Sequence, residues 1–304
     1  MVNNKVLVMG GNGFIGKNIV NYFRKNGVEA DIYDLFVSSS EIKTYQGNIL
    51  TDDHLGEIIS EYQTIIYLVT SVSPKKSMDF PERSYVQDVP MLLRTLDCCI
   101  KGDTKRVIFA SSGGTVYGEG NGKALTEDAE EKPINHYAIC KLTCEKILEL
   151  YNKLYNMENI SLRISNPYGI GQNPESGVGA ITTFAQKMLS DEKILLFGDG
   201  TTSRDFIHIE AVCEAFYKAY LWQYDSQVSP VFNIGSGQDI NLNQIIEVIS
   251  EVLEIEPKIE YLPAREFDVK HNVLNINKAR EYLGYDPKQD EIEHIKEYVK
   301  QLKR

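Results

Sequence analysis

The chain has 304 residues, with 32 Lys+Arg against 43 Asp+Glu, a net charge of −11 at pH 7 and a pI near 5.1. So acidic a chain repels phosphate backbones, which excludes nucleic acid as the expected partner; its 42% hydrophobic and 25% charged residues exclude a disordered or fibrous polymer. Apolar runs such as residues 65–69 fall far below the ~18 residues of a membrane span, so no membrane association is expected.

In chain order, Lys5–Met9 reads as a buried strand that leads straight into the glycine-rich turn at 10–16. Nothing before it has the charged and apolar regions of an export signal, and the expected location is the cytoplasm. Ile19, Val20 and Phe23 share one face of a helix that Gly27 stops. Strands follow at 29–33, 64–69, 105–110 and Ile160–Ile164, separated by helical stretches at 89–100 and 135–155. Strands alternating with helices predict an α/β fold, a doubly wound parallel sheet with right-handed crossovers. Past residue 165 the chain turns to loops rich in Gly, Asn and Pro, then to a helix near 210–222, a strand at Val231–Ile234 and an amphipathic helix carrying Leu242, Ile245, Ile246, Ile249 and Leu253. The expected division is a Rossmann domain at 1–165, with 201–234 returning to it, and a smaller α/β substrate region at 166–304. A crevice between two such regions is the natural ligand site. Five cysteines, with no metal-ligand spacing to histidines, predict reduced and mostly buried thiols and no metal.

Gly10, Gly13 and Gly16 lie between a strand and a helix. There they permit a tight turn, close approach of a pyrophosphate to the backbone and close helix–strand packing. Phe14 and Ile15 open the helix whose N-terminus faces that anion. Asp34 ends the next strand eighteen residues after Gly16, where a carboxylate accepts both ribose hydroxyls of a dinucleotide and repels a 2′-phosphate, favouring NAD over NADP. The strand at 105–110 runs on into Ser111-Ser112-Gly113-Gly114-Thr115-Val116-Tyr117-Gly118, putting hydroxyls at the crevice end of a parallel strand. Tyr137 and Lys141 stand one helical turn apart on one face. A tyrosine is a poor base at neutral pH, and lowering its pKa by ~3 units takes ~4 kcal/mol, which a neighbouring ammonium and a cationic nicotinamide ring can supply.

These motifs resemble those of the extended short-chain dehydrogenase/reductases, in particular the nucleotide-sugar epimerases and dehydratases of the UDP-glucose 4-epimerase type. The likeness runs through nearly the whole chain. It takes in residues 163–169 (Arg-Ile-Ser-Asn-Pro-Tyr-Gly), 197–200 (Phe-Gly-Asp-Gly), 204–208 (Arg-Asp-Phe-Ile-His), 233–237 (Asn-Ile-Gly-Ser-Gly), Arg265 and Asp268. The resemblance implies C4 epimerisation of a UDP-sugar, either the glucose/galactose pair or its N-acetylated counterpart, through a 4-keto intermediate with NAD held tightly. By the same likeness Tyr137 is the base, Lys141 tunes it and holds the nicotinamide ribose, and Ser112 shares the C4 oxygen. Asn48 and Ile49 join the cofactor residues; Asn166 holds the nucleotide-sugar, Arg204 and Arg265 its pyrophosphate and Asp268 its nucleotide ribose. It also implies a homodimer through the helices at 89–100 and 135–155, and a product used in polysaccharide biosynthesis.

The chain departs from the family pattern at several positions. Gly113 stands where the family usually carries its hydroxyl, so Ser112 is assigned on a loop one residue longer, with Ser111 and Thr115 as competitors. Asp88 replaces a frequent Asn, and Asn48 and Asn275 replace frequent Asp residues. Asn272 stands at a position associated with N-acetylated sugars, and its intermediate size fits either sugar. The alternative activity is an NAD(P)H-dependent reductase of nucleotide-4-keto-6-deoxysugars. A 4,6-dehydratase ranks lower because Gly113-Gly114 occupy the place of its acid/base pair. His208 and His271 are expected to be structural.

Overall fold

The computed structural model describes residues 4–37, 42–120, 122–176, 179–264, 269–287 and 290–303. The first half holds β1 (Lys5–Met9), α1 (Phe14–Lys25), β2 (Glu29–Asp34), β3 (Thr44–Gln46), α2 (Leu55–Ser60), β4 (Thr64–Tyr67), α3 (Val89–Lys101), β5 (Arg106–Ser112), α4 (Gly113–Val116), α5 (His136–Tyr155) and β6 (Ile160–Ile164). The second half holds β7 (Asn166–Tyr168), α6 (Ala180–Leu189), β8 (Ile194–Phe197), β9 (Ser203–Arg204), β10 (Phe206–His208), α7 (Ile209–Leu221), β11 (Val231–Ile234), β12 (Ile240–Asn241), α8 (Leu242–Leu253), β13 (Ile259–Leu262), β14 (His271–Asn272), α9 (Asn277–Leu283) and α10 (Glu291–Leu302).

Alternation along the strands builds two cores, one on each face of the main sheet. Val6 and Val8 of β1, Ile108 of β5 and Leu162 of β6 point to one side, where Ile19, Val20 and Phe23 of α1 and Val212 and Phe216 of α7 cover them. Leu7, Met9, Tyr67, Val107 and Phe109 point to the other, against Leu92 and Leu96 of α3 and Cys144 and Leu148 of α5. Burial on both faces is what a parallel sheet with helical crossovers requires. The strand order is β11-β6-β5-β4-β1-β2-β3, parallel throughout. The direction of winding reverses between β1 and β4, the switch point at which ligands of such sheets bind. The fold is therefore the doubly wound α/β architecture expected above. Six of its seven strands match the expected runs to within two residues at either end, whereas β3 is a three-residue edge strand with too little pattern to notice.

The remaining strands are short and pair outside this sheet: β7 with β10, β9 with β12 and β14, and β8 with β13. Around them Ile181, Phe184, Leu196, Ile245, Ile249, Ile295 and Tyr298 form a third core. Local caps set its helices. Asn241 and Gln244 exchange hydrogen bonds as a capping box at the start of α8, and the Asp290 side chain caps α10. All five cysteines are free thiols, and four are buried. Among the described residues no group of His, Cys, Asp and Glu is arranged to hold a metal, and no helix is long and apolar enough to cross a membrane.

Candidate active site

The glycine turn sits at the switch point because β1 ends there. Gly10 has φ +80°, which only glycine adopts without strain, and its N–H donates to the Tyr33 carbonyl at 2.9 Å. A Cβ on Gly16 would lie 2.5 Å from the Gly10 oxygen and 2.6 Å from the Gly11 Cα, so a side chain there would push α1 away from the turn. Phe14 and Ile15 are half-buried at the first two positions of α1, whose N-cap is Gly13 with no side-chain cap. The first-turn N–H groups therefore face outward for an anion. One oxygen of Asp34 accepts the Asn12 N–H at 3.0 Å, fixing this carboxylate beside the turn. Backbone cradle and adjacent carboxylate fit the pyrophosphate and adenosine ribose of a dinucleotide. Asn48 is exposed and its Oδ1 accepts the Leu50 N–H at 3.0 Å, while Ile49 is buried in the core with Leu7 and Tyr33.

At the end of β5 the three hydroxyls part company. Ser111 is buried and donates to Glu145; Ser112 is half-buried at the start of α4 and accepts a hydrogen bond from Thr115 at 2.9 Å. α5, which carries Tyr137 and Lys141, begins where the Asn135 side chain accepts from the Ala138 N–H at 2.8 Å. Lys141 is buried, its Nζ 2.8 Å from the Ala110 carbonyl, 4.6 Å from the centre of the Phe109 ring and 5.4 Å from that of Tyr137. An ammonium over two aromatic faces is held electrostatically as well as by its hydrogen bond.

Of the residues expected to hold the nucleotide-sugar, Asn166 lies at the same strand end. A Cβ on Gly114 would lie 3.5 Å from the Asn166 Oδ1, and the buried Asn272 donates to the Gly113 carbonyl at 3.3 Å while its own Oδ1 has no partner among the described residues. Arg204 on β9 donates to the Ser203 carbonyl at 2.7 Å. Arg265 and Asp268 lie outside the described residues. The departures have local explanations. Asp88 accepts from the Ser71 N–H at 2.8 Å and from the Thr70 hydroxyl at 3.0 Å, so both its oxygens serve as acceptors, which an amide nitrogen could not do. Asn275 accepts from the Asn277 N–H at 3.0 Å at the start of α9. His208 caps α7, and His271 contacts Ser203 and Asp239.

Two features went unnoticed in the sequence. Asp205, fully buried, accepts from Ser236 N–H at 2.8 Å, Ser236 Oγ at 2.9 Å, Gly237 N–H at 3.2 Å and Leu274 N–H at 3.2 Å, and its backbone carbonyl takes both the N–H and the Nδ2 of Asn166. It thereby ties β10, β11 and the 274 loop to Asn166, and burial pushes its carboxyl up to about 6. The other feature is an ion cluster around Arg163, buried inside β6. Burial opposes its charge, but hydrogen bonds and attraction from Glu145 hold the guanidinium above its ordinary value. The available signal was a charge within the run Ile-Ser-Leu-Arg-Ile, which in a doubly covered strand demands a buried partner.

A doubly wound sheet with a glycine cradle at its switch point and a Tyr/Lys pair at the end of β5 defines an extended short-chain dehydrogenase/reductase. The chain belongs to the NAD dependent epimerase/dehydratase family, whose sequence model matches residues 6–235. UDP-glucose 4-epimerase of Thermotoga maritima, solved with UDP-glucose, is 30% identical over 98% of both chains with a TM-score of 0.91. A dTDP-4-dehydro-6-deoxyglucose reductase of Escherichia coli is 32% identical over 93% of each chain. The UDP-N-acetylglucosamine 4-epimerase of Methanobrevibacter ruminantium, solved with UDP-N-acetylmuramic acid, is 28% identical over 99% of both chains with a TM-score of 0.88.

Proposed function

We propose that this protein epimerises C4 of a UDP-sugar, glucose/galactose or the N-acetylated pair, through a transient 4-keto sugar. The observation that carries the reading is Lys141 set beside the Tyr137 ring and anchored on the Ala110 carbonyl of β5, two residues before Ser112, in the sheet whose β1 turn fits a dinucleotide. Held by the turn at Gly10, Gly13 and Gly16 and by Asp34, NAD would supply the hydride acceptor and donor for C4. Tyr137 takes the proton of the C4 hydroxyl and restores it. Lys141 lowers the cost of the phenolate by its positive charge, and Ser112 hydrogen-bonds the C4 oxygen. Asn166 orients the nucleotide-sugar. Arg204 and Arg265 hold its two phosphates, and Asp268 holds its nucleotide ribose. Asp34 favours NAD by repelling a 2′-phosphate, and Asn48 and Ile49 flank the adenosine end.

We also place the protein in the cytoplasm as a homodimer, supplying a sugar donor for polysaccharide assembly. The dimer reading is supported by Ile139, Leu150 and Leu154, exposed on α5, and by Val86, exposed just before α3. The test of function incubates the protein with NAD and, separately, UDP-glucose or UDP-N-acetylglucosamine, following the anomeric protons by NMR. The galacto partner appears in at least one tube if the reading is right. The second reading, a 4-keto-sugar reductase, is favoured by the 32% identity to the Escherichia coli reductase. It requires unchanged UDP-sugars in both tubes and oxidation of NADH or NADPH by a nucleotide-4-keto-6-deoxysugar.

A further inference from the structure

Two successive residues of β5 meet two successive turns of α5. The Ala110 carbonyl holds Lys141 at 2.8 Å, the Ser111 hydroxyl donates to Glu145, and Ser112 follows at the crevice. Tyr137, Lys141 and Glu145 are spaced by four and share one face of the helix. Glu145 is fully buried and held from the far side by Arg163 of β6: Nε lies 3.1 and 3.2 Å from its two oxygens, and Nη2 lies 2.7 Å from one of them. Arg163 is itself braced. Its Nη1 donates to the Tyr117 hydroxyl at 2.8 Å, that hydroxyl donates to Asn233 of β11 at 2.7 Å, and Nη2 pairs with Glu131. The carboxylate of Glu145 is thus pinned between two strands of the main sheet.

A buried ion pair of this kind is weak evidence for stability, because well-packed apolar side chains of similar volume do as well or better. What a forked guanidinium–carboxylate contact adds is direction: it fixes the angle and depth of the carboxylate, and hence of the helix that carries it. We propose that Ser111, Glu145 and Arg163 are positioning residues, with Glu145 setting the depth at which Tyr137 and Lys141 stand against Ser112. This rests on the reading of those three as the reacting groups. Lys141 lies four residues, about 6 Å of helix rise, from Glu145. Slack at the clamp is therefore passed to Tyr137 by a stiff helix, and about 1 Å of misplacement at a reacting centre can cost on the order of a hundredfold in rate.

The test uses the full chain with Ser111→Ala and Ser111→Thr. Removing the hydroxyl leaves the Glu145–Arg163 pair intact, so the variant folds. The expected result is a kcat reduced about tenfold, a KM for the UDP-sugar within twofold of the parent, and recovery of at least half the parental kcat in Ser111→Thr, which keeps the donor. Amide hydrogen exchange is expected to quicken in residues 110–117 and at the start of α5 in Ser111→Ala, and nowhere else. A kcat within twofold of the parent overturns the proposal, as does a loss that Ser111→Thr does not relieve. If the parent turns over none of the sugars, the functional reading fails. The exchange result then decides the clamp alone: local quickening supports it, and unchanged protection at 110–117 refutes it.

Discussion

Replacing Gly16 with alanine puts the cofactor cradle to a quantitative test. The added Cβ would stand 2.5 Å from the Gly10 oxygen, 2.6 Å from the Gly11 Cα and 2.8 Å from the Gly11 carbonyl carbon, all backbone atoms with no rotamer to change. Ordinary contact needs about 3.4 Å, so α1 must retreat from the turn by roughly 0.9 Å. Overpacking of this kind costs about 1–3 kcal/mol, and the better helix propensity of alanine returns up to about 1 kcal/mol. The net loss of about 1–2 kcal/mol is read as a fall of a few degrees in Tm. The same retreat draws the first-turn N–H groups off the pyrophosphate. One charge-assisted hydrogen bond is worth about 1.5–3 kcal/mol, so the Kd for NAD should rise by roughly 10- to 150-fold. Gly27→Ala is the control: its φ is +77°, no atom lies within 4 Å of the new Cβ, and the cost is left-handed strain of about 1–2 kcal/mol far from the cradle. Calorimetric titration of nucleotide-stripped protein with NAD, beside thermal melts, separates the two. Similar melting losses are expected, with NAD affinity lost only in Gly16→Ala. If Gly16→Ala binds NAD within twofold of the parent, the close-approach argument is wrong.

Three further outcomes are expected. Asp34→Asn should weaken NAD at least tenfold and narrow the preference over NADP; an unchanged ratio of the two dissociation constants would remove Asp34 from cofactor selection. Lys141→Met keeps an unbranched stem but loses the charge that lies 4.6 Å from the centre of the Phe109 ring, so turnover by NMR should fall at least a hundredfold with the fold intact, and a variant keeping a tenth of parental activity would refute that role. Asp205 titrates near 6 in the fold because of its burial, against about 3.9 unfolded. Its contribution to stability is therefore fully present below about pH 4 and lost as pH rises through 6, a span of about 3 kcal/mol. Asn does not titrate, so in urea unfolding the margin of the parent over Asp205→Asn should shrink between pH 5 and 7.5. A margin that widens with pH would show that the four donors, not burial, govern this carboxyl.

Apart from β3, the strands of the central sheet were legible because each is a four- to seven-residue apolar run between turn signals, and the glycine cradle because Gly10, Gly13 and Gly16 serve a purely local geometry. β9, β12 and β14 have two residues each, too few for any period to exist, and they form only because the rest of the chain aligns them. Choosing among Ser111, Ser112 and Thr115 turns on which face of β5 each side chain leaves, and that depends on the register of a strand end with α5 beside it. The Asp205 hub and the Glu145–Arg163 pair were hidden for a different reason. Their partners lie 18 to 69 residues away in sequence, and no local rule selects one distant carboxylate or amide over another.

The return of β11 to the outer flank of β6 bears on how the chain is made. When β6 leaves the ribosome, its outer hydrogen-bonding edge has no neighbour until β11 follows about 70 residues later, which at 5–20 residues per second takes on the order of 4–14 s. During that interval the nascent chain presents an apolar parallel strand, Ile-Ser-Leu-Arg-Ile, with one side open to any other extended segment. Arrested chains ending near residue 200 should accordingly be more prone to aggregate and to proteolysis than chains ending near 250, and equal behaviour of the two would count against an exposed edge.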